Sequence, residues 1–336
     1  MTSDHVWGMT SRLGDLPNVE IVAGADPHDD LLVRFREQFG VDRLYTDHRE
    51  MYQNENVDAI LICADNAAKV GLIEEAARHT VHVYQDKPMS ATLSQADGII
   101  AAAESAGIKV VVAYHNYFGA AYGEAKKRVA DGDIGEVYLA RALIGHAGPK
   151  EFGCSPNFCD WLFDREKNGG GTFIDEACYV ISAFLDYMGP IVEVSAFMTQ
   201  IGYRDYLPAD VEDNSVAIVR FETGALGVID SRWGQIGPMP WSSSYHGTEG
   251  TILVRRGGIS LYSRKGTQAD AAEWVDIPCE GSRPETGSEA EYVARCLSED
   301  VPVHGAVSPQ GARATQEVIE AAYRSAQTGQ VVKLPL

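Results

Sequence analysis

The sequence predicts two units in tandem: an α/β Rossmann-like domain over residues 1–117 and an α+β domain over 118–336 with an open, largely antiparallel sheet. Three observations predict it. Through the first third, apolar runs bounded by turn residues alternate with helical stretches, the pattern of a parallel sheet covered on both faces. Beyond about residue 120, strands follow one another in hairpin-like succession. A chain of 336 residues, 45% hydrophobic, also exceeds what one core usually holds.

Each element has a local reason. A helix is expected at about 3–13. Residues 19–25 (Val-Glu-Ile-Val-Ala-Gly-Ala) read as a strand ended by Asp26-Pro27. A helix over 29–39 stops at Gly40, the usual left-handed terminator. The near-continuous apolar run 57–63 suits a strand buried on both faces. A helix at 67–79, a strand at 81–84 and a helix at 93–106 follow, the last with Ser90 or Thr92 as its cap. Residues 108–113 form another buried strand. In the second unit a helix at 122–130 leads into a strand at 135–141. Strands at 215–222 and 225–233 are joined by Thr223-Gly224, a short turn. Strands at 242–246 and 251–255 are joined through Gly247-Thr248-Glu249-Gly250. Helices return at 287–299 and 309–327. The stretches 265–272 and 280–287 read as surface loops, and no internal repeat is present.

Composition excludes several classes. The net charge is −20 and no Lys/Arg cluster stands out, so nucleic acid is not an expected partner. No apolar run reaches the length of a membrane span. Met1-Thr2-Ser3-Asp4-His5 lacks both the basic start and the apolar stretch of a secretory leader. Six cysteines, at 63, 154, 159, 178, 279 and 296, are scattered rather than framed for disulfides, which fits a reducing, cytoplasmic setting. Cys154 and Cys159 with His146 match no zinc spacing, and no metal is expected.

The chemistry centres on Lys87. It stands in Tyr84-Gln85-Asp86-Lys87-Pro88 at the exit of a strand, the edge where α/β ligand sites gather. Gly169-Gly170-Gly171-Thr172-Phe173-Ile174-Asp175-Glu176-Ala177-Cys178-Tyr179 follows later. Asp175 and Tyr179 are four apart, hence on one helix face. A lysine, a carboxylate and a phenol suit proton transfer at a sugar hydroxyl. The bland readings are a lysine ahead of a proline turn, a glycine run serving only as a flexible approach to a helix, and an Asp/Tyr pair buried in packing. His115 and Asn116 follow the strand at 108–113 and either line the cleft or fill the rim. His146 ends a strand and either reaches substrate or does not. Asp26 is a ribose-binding acid or merely a helix cap.

Along nearly its whole length the chain resembles the Gfo/Idh/MocA oxidoreductases, the glucose-fructose oxidoreductase and inositol dehydrogenase family. Asp86-Lys87-Pro88 stands where that family has Glu-Lys-Pro. Trp161 through Gly171, then Asp175, matches its Trp…Gly-Gly-Gly-x-x-x-Asp segment. Tyr245-His246-Gly247-Thr248-Glu249-Gly250 and Glu320-Ala321-Ala322-Tyr323-Arg324-Ser325 match a turn and the C-terminal helix. The resemblance implies NAD-dependent oxidation of a secondary hydroxyl, or reduction of the ketone, on a sugar, polyol or sugar derivative. It implies catalysis by Lys87, Asp175 and Tyr179. Asp26, Ala64, Asn66, Asp86 and Lys87 would hold the cofactor, and His115, Asn116 and His146 would join the catalytic residues around the substrate. It further implies a homodimer or homotetramer formed through the C-terminal sheet. A catalytically inactive cofactor- or sugar-binding regulatory protein is the alternative.

Two departures from the family pattern matter. The position usually held by His is Tyr179, a poorer base near neutrality, which makes Lys87 the main acid/base if burial and the nicotinamide lower its pKa. No G-x-G-x-x-G precedes the first helix, so the first strand and glycine loop are absent from the sequence as written. Weak dinucleotide binding is the expectation, because the pyrophosphate normally lies on that loop. Asp26 favours NAD over NADP, since a carboxylate there repels a 2′-phosphate.

Overall fold

The computed structural model describes residues 1–201, 204–265, 272–299 and 301–336. Helix α1 (His5–Gly14) comes first, then a very short strand β1 (Gly24–Ala25). Helix α2 (Asp29–Phe39) ends as expected on Gly40, whose φ of 69° lies in the left-handed region. Strand β2 (Leu44–Tyr45), helix α3 (His48–Asn54), strand β3 (Ala59–Ile62), helix α4 (Lys69–Arg78) and strand β4 (His82–Asp86) follow. Helix α5 (Leu93–Ala106) starts in a full capping box, Thr92 with Gln95. Strand β5 (Val110–Ala113) completes this half.

All of these strands are parallel, but they form two sheets. β1 pairs only with β2, and β3, β4 and β5 pair in that order. Between the facing edges of β1 and β3 runs a cleft of about 830 Å³, lined on one side by residues 18–25 and on the other by 56–64. The strand expected over 19–25 is therefore real only at Gly24–Ala25. The rest of that apolar run borders the cleft and has no neighbouring ladder to join.

The second half begins with a 3₁₀ turn (His115–Phe118) and α6 (Ala120–Ala130). Strand β6 (Val137–Gly145) leads to short helices α7 (Pro149–Phe152), α8 (Pro156–Leu162) and α9 (Arg165–Asn168). A π-helical turn (Phe173–Ala177) runs directly into α10 (Cys178–Met188). Strands β7 (Ile191–Thr199), β8 (Asn214–Phe221), β9 (Leu226–Arg232), β10 (Ser243–Gly247), β11 (Gly250–Arg255), β12 (Gly258–Ser263) and β13 (Trp274–Pro278) precede α11 (Glu289–Ser298), α12 (Pro309–Thr328) and β14 (Val332–Lys333). The sheet has nine strands in the order β13-β12-β11-β10-β6-β9-β8-β7-β14, antiparallel throughout except for β6 against β9. The loop expected over 265–272 falls mostly outside the described residues.

Period-two alternation assigns the sheet's faces. On β8, Ser215, Ala217, Val219 and Phe221 are buried, while Val216, Ile218 and Arg220 face outward. Phe197 on β7 and Leu226 on β9 are exposed too, and their register places them on that outer face. The inner face packs against α10 and α12. Helix α12 also lies against α5 and β5 of the first half, so one continuous core crosses both halves. A smaller cluster, including Phe158, Trp161, Phe163 and Trp233, sits beside the site described next.

Candidate active site

Parallel pairing brings Asp86 level with Ala113, so β4 and β5 deliver Lys87 and His115 to the same sheet end. The side chain of Lys69 fixes the backbone there. From α4 its Nζ donates to the carbonyls of Asp86 and Pro88, both at 2.7 Å, and to Asn66 Oδ1 at 2.8 Å. The main chain on both sides of Lys87 thus hangs from one buried ammonium, whose pKa burial pushes down to about 8. Asn66 in turn donates to Asn168, and Asn168 donates to the carbonyls of Leu162 and Gly170. A chain of hydrogen bonds therefore runs from β4 to the glycine triplet. Asn66 was expected at the cofactor. It is fully buried in this chain instead, and Ala64 lies at the cleft between the two parallel sheets.

Lys87 itself is 4% exposed. Its Nζ donates to Asp175 Oδ1 at 2.6 Å and to the Asp175 carbonyl at 2.9 Å, and it stands 5.0 Å from the centre of the Tyr179 ring. Asp175 and Tyr179 do face one partner, although Asp175 belongs to the π-helical turn and Tyr179 to α10. Trp233, one residue past β9, donates its indole N–H to Asp175 Oδ2 at 3.2 Å. Both carboxylate oxygens are then occupied, as a buried charge requires.

This arrangement overturns one expectation. Burial alone would lower the pKa of Lys87, but the Asp175 carboxylate outweighs it and holds the ammonium well above its usual range. Asp175 is lowered in turn: burial opposes ionisation and the Lys87 charge prevails. Burial raises the Tyr179 phenol well above its ordinary value. The resting pair is a fixed cation and a fixed anion, with a neutral phenol beside them.

Three histidine–carboxylate pairs border it. His5, on the first turn of α1, places Nδ1 2.9 Å from both oxygens of Asp86, which also accepts from Ser3 Oγ at 2.6 Å. Burial alone would depress His5, but Asp86 more than offsets it and the pKa is raised. His115 Nδ1 lies 2.6 Å from Glu289 Oε2, and its ring is 5.7 Å from that of His5. Asn116 donates to the Tyr179 carbonyl at 3.0 Å, while its Oδ1 has no partner among the described residues. His146 accepts the Gly148 N–H on Nδ1 at 3.1 Å and points Nε2 at Glu176, 3.2 Å away. Ligand-type atoms of His146, Asp175 and Glu176 lie within 4.8 Å of one another, so His146 joins the same cluster. Glu176 raises its pKa against the effect of burial.

Asp26 is buried at the end of β1. It accepts from the His28 N–H at 2.9 Å and pairs with the His28 ring at 2.8 Å and with the Met1 amino group. The nearest arginine in sequence, Arg34, stacks 3.8 Å over Trp7 instead. A carboxylate without an adjacent guanidinium fits a ribose hydroxyl better than a phosphate.

Sequence reasoning did not find His5, Lys69, Glu176 or Trp233. Glu176 adjoins Asp175, but its link to His146 depends on where β6 ends. Trp233 stands alone at a strand end, and only the pairing of β8 with β9 aims it at Asp175.

Comparison with known proteins follows these lines. Residues 6–114 match the oxidoreductase family with an NAD-binding Rossmann fold, and residues 122–253 match the GFO/IDH/MocA C-terminal domain. The chain is 27% identical to the myo-inositol 2-dehydrogenase of Thermotoga maritima over 63% of its own length, a stretch that spans 60% of that relative. It is 24% identical to the D-apiose dehydrogenase of Paraburkholderia graminis over 98% of this chain and 85% of the relative. Its fold is similar to that of a levoglucosan dehydrogenase solved with NADH, at a TM-score of 0.84 and 20% identity, covering 98% of this chain and 95% of the other.

Proposed function

Because the chain belongs to the Gfo/Idh/MocA oxidoreductases and its N-terminal third matches their NAD-binding Rossmann domain, we propose that it is an NAD-dependent dehydrogenase acting on a secondary hydroxyl of a sugar, polyol or sugar derivative. One observation carries the reading: Lys87 is held at a strand end by both the side chain and the carbonyl of Asp175, with Tyr179 beside it. Unlike Lys69, whose three donors all go to neutral oxygens, Lys87 is paired with a carboxylate beside a phenol, the set of groups that proton transfer at a hydroxyl needs. Relatives named for inositol, apiose and levoglucosan support the substrate class.

NAD, when bound, supplies the hydride acceptor. Asp26 would hold its ribose hydroxyls, and Ala64, Asp86 and Lys87 would line its path along the strand ends. The chain's own residues do the rest. Lys87 donates its remaining N–H to the substrate oxygen and so stabilises the alkoxide left when the hydroxyl proton departs to solvent; the hydride on carbon would then pass to the bound NAD, leaving the ketone. A lysine raised by Asp175 acts first as this electrostatic anchor. It becomes a proton acceptor only when its pairing with Asp175 is loosened. Tyr179 donates to a neighbouring hydroxyl. His115, Asn116 and His146 orient the ring.

The experiment is absorbance at 340 nm with NAD and, separately, myo-inositol, levoglucosan and D-apiose. NADH formation with at least one is expected, along with a clear preference for NAD over NADP. Tight NAD binding with no turnover on any polyol would favour the regulatory alternative.

The same reading covers the molecule's setting. Among the described residues no helix is long and apolar enough to cross a membrane, which agrees with a cytoplasmic enzyme. The outer face of the nine-stranded sheet, with Phe197 77% exposed beside Val216, Ile218 and Leu226, is the surface on which copies would pair. Sedimentation of wild type beside Ile218→Glu tests this, with a shift to monomer expected.

A further inference from the structure

Every helix leaves its first N–H groups without partners inside the helix. The run formed by the π-helical turn and α10 begins at Phe173, and no side chain of its own caps it. Thr172, at the cap position, is bonded to Ser231 instead. The partners come from elsewhere in the chain. Glu212, just before β8, accepts Gly171 N–H on Oε2 and Phe173 N–H on Oε1, both at 2.9 Å, and its carbonyl accepts Thr172 N–H at 3.0 Å. Tyr323, on α12, donates to Glu212 Oε1 at 2.7 Å, and its oxygen lies 3.2 Å and 3.3 Å from the N–H groups of Gly171 and Ile174. Four consecutive amides are thus satisfied by two distant residues.

The glycine triplet is shaped by the same contact. A Cβ on Gly170 would stand 1.9 Å from the Tyr323 hydroxyl oxygen, and one on Gly171 would stand 1.9 Å from the Glu212 carbonyl oxygen. These glycines permit close approach rather than flexibility. A carboxylate also belongs electrostatically at a helix N-terminus. Glu212 is buried there with its pKa raised by burial, and the Arg165 guanidinium lies 5.3 Å over the ring of its partner Tyr323.

Asp175 follows these amides directly, and it grips Lys87 by its carbonyl as well as its carboxylate. Any rotation of the turn moves both grips at once. We propose that Glu212, supported by Tyr323, is a positioning residue of the reaction: it sets the π-helical turn, the turn sets Asp175, and Asp175 sets Lys87. The proposal rests on the dehydrogenase reading above.

The test uses the full chain carrying Glu212→Gln, Tyr323→Phe or both. Gln keeps the size but turns an N–H donor toward an N–H of the turn. With NAD and myo-inositol, kcat of Glu212→Gln should fall about ten- to a hundredfold, the scale of a misplacement remote from the chemistry. The KM for NAD should stay within about twofold, because Asp26, Ala64 and Asp86 make no hydrogen bond to the turn among the described residues, and only Lys87 of the residues along the cofactor's path does. The double variant should lose little more than the worse single one, as expected for two groups serving one cap. A second measurement needs no turnover: competitive acetylation of Lys87 against Lys69, read by mass spectrometry. Both lysines are buried, but Lys87 is bonded to the turn directly and Lys69 only through Asn66 and Asn168, so the labelling of Lys87 should rise several-fold over that of Lys69. An unchanged kcat, or Lys87 and Lys69 rising together, would overturn the proposal, the latter by showing general loosening. If wild type oxidises no polyol, the dehydrogenase reading fails, and the acetylation ratio still decides whether Glu212 positions Lys87.

Discussion

The two halves hold a reactive edge in opposite ways. In the C-terminal half an unbroken nine-stranded sheet carries Trp233 and the approach to Glu212 to their places. In the N-terminal half the parallel strands are split two and three across a cleft, yet Lys87 is buried and bonded twice to Asp175. What replaces sheet continuity there is side-chain bonding: Lys69 on two carbonyls, Asn66 on Asn168, and Ser3 and His5 on Asp86. A site can therefore be rigid on a scaffold that is locally open, provided the backbone beside it is held by buried donors.

The contrast can be broken most directly through core truncation. Phe221, fully buried on β8 against Phe184, should cost about 3–5 kcal/mol when changed to Ala. Ile60, half-buried on the open edge of β3, should cost under about 1.5 kcal/mol for the same change. Urea unfolding measures both, and equal costs would mean that the cleft does not weaken the first half.

Next in size is the chemistry itself. Lys87→Met should reduce turnover on any accepted polyol by about a hundredfold or more, the scale of a group acting on the reacting oxygen. Circular dichroism should be unaltered. Near-normal turnover in this variant would remove Lys87 from the mechanism.

Lys69→Met tests whether side-chain bonding substitutes for the sheet. It strips donors from the Asp86 and Pro88 carbonyls, and a loss of about 2 kcal/mol is expected after the relief of burying one charge fewer. Unchanged stability would show that the strand end supports itself.

The smallest effect is pH-dependent. Since the pKa of His5 is raised in the folded chain, its pair with Asp86 contributes stability fully present below about pH 6.5. That contribution is lost as pH rises through the raised value. Comparing the pH–stability curve of His5→Asn with wild type should show a difference at pH 6 that shrinks toward pH 8. A constant difference would mean that packing, not charge, is what His5 provides.

Much of this was legible in one dimension. Periodicity located β3, β4 and β5 and the helices between them. Gly40 and Thr92 marked helix ends because left-handed backbone and side-chain caps are local requirements. Lys87 and Asp175 were legible because each stands at an element boundary with recognisable neighbours. Other features depended on what arrives from afar. Residues 19–23 have strand composition, but a strand needs a ladder, and composition cannot say that none is available. Asn66 read as a cofactor residue because it follows a strand, yet Lys69, one helical turn later, claims it. The proton affinity of Lys87 was misjudged for a similar reason: burial pushes it down, and only the 2.6 Å contact with Asp175 reverses the sign. Glu212 and Tyr323 give no local signal at all, since their shared partner is a turn in a third part of the chain.

Helix α12 makes the halves interdependent in time as well as in space. It lies on α5 and β5, with Arg313 bonded to Asp97 of α5, and on α10 and β7, and it supplies Tyr323 to the catalytic turn. During vectorial synthesis it leaves the ribosome only after everything it covers has been made. Until then, the nascent first half exposes the apolar surface that α12 will later occupy. Such a polypeptide carries uncovered apolar surface for longer during its synthesis than a protein whose domains close one after another.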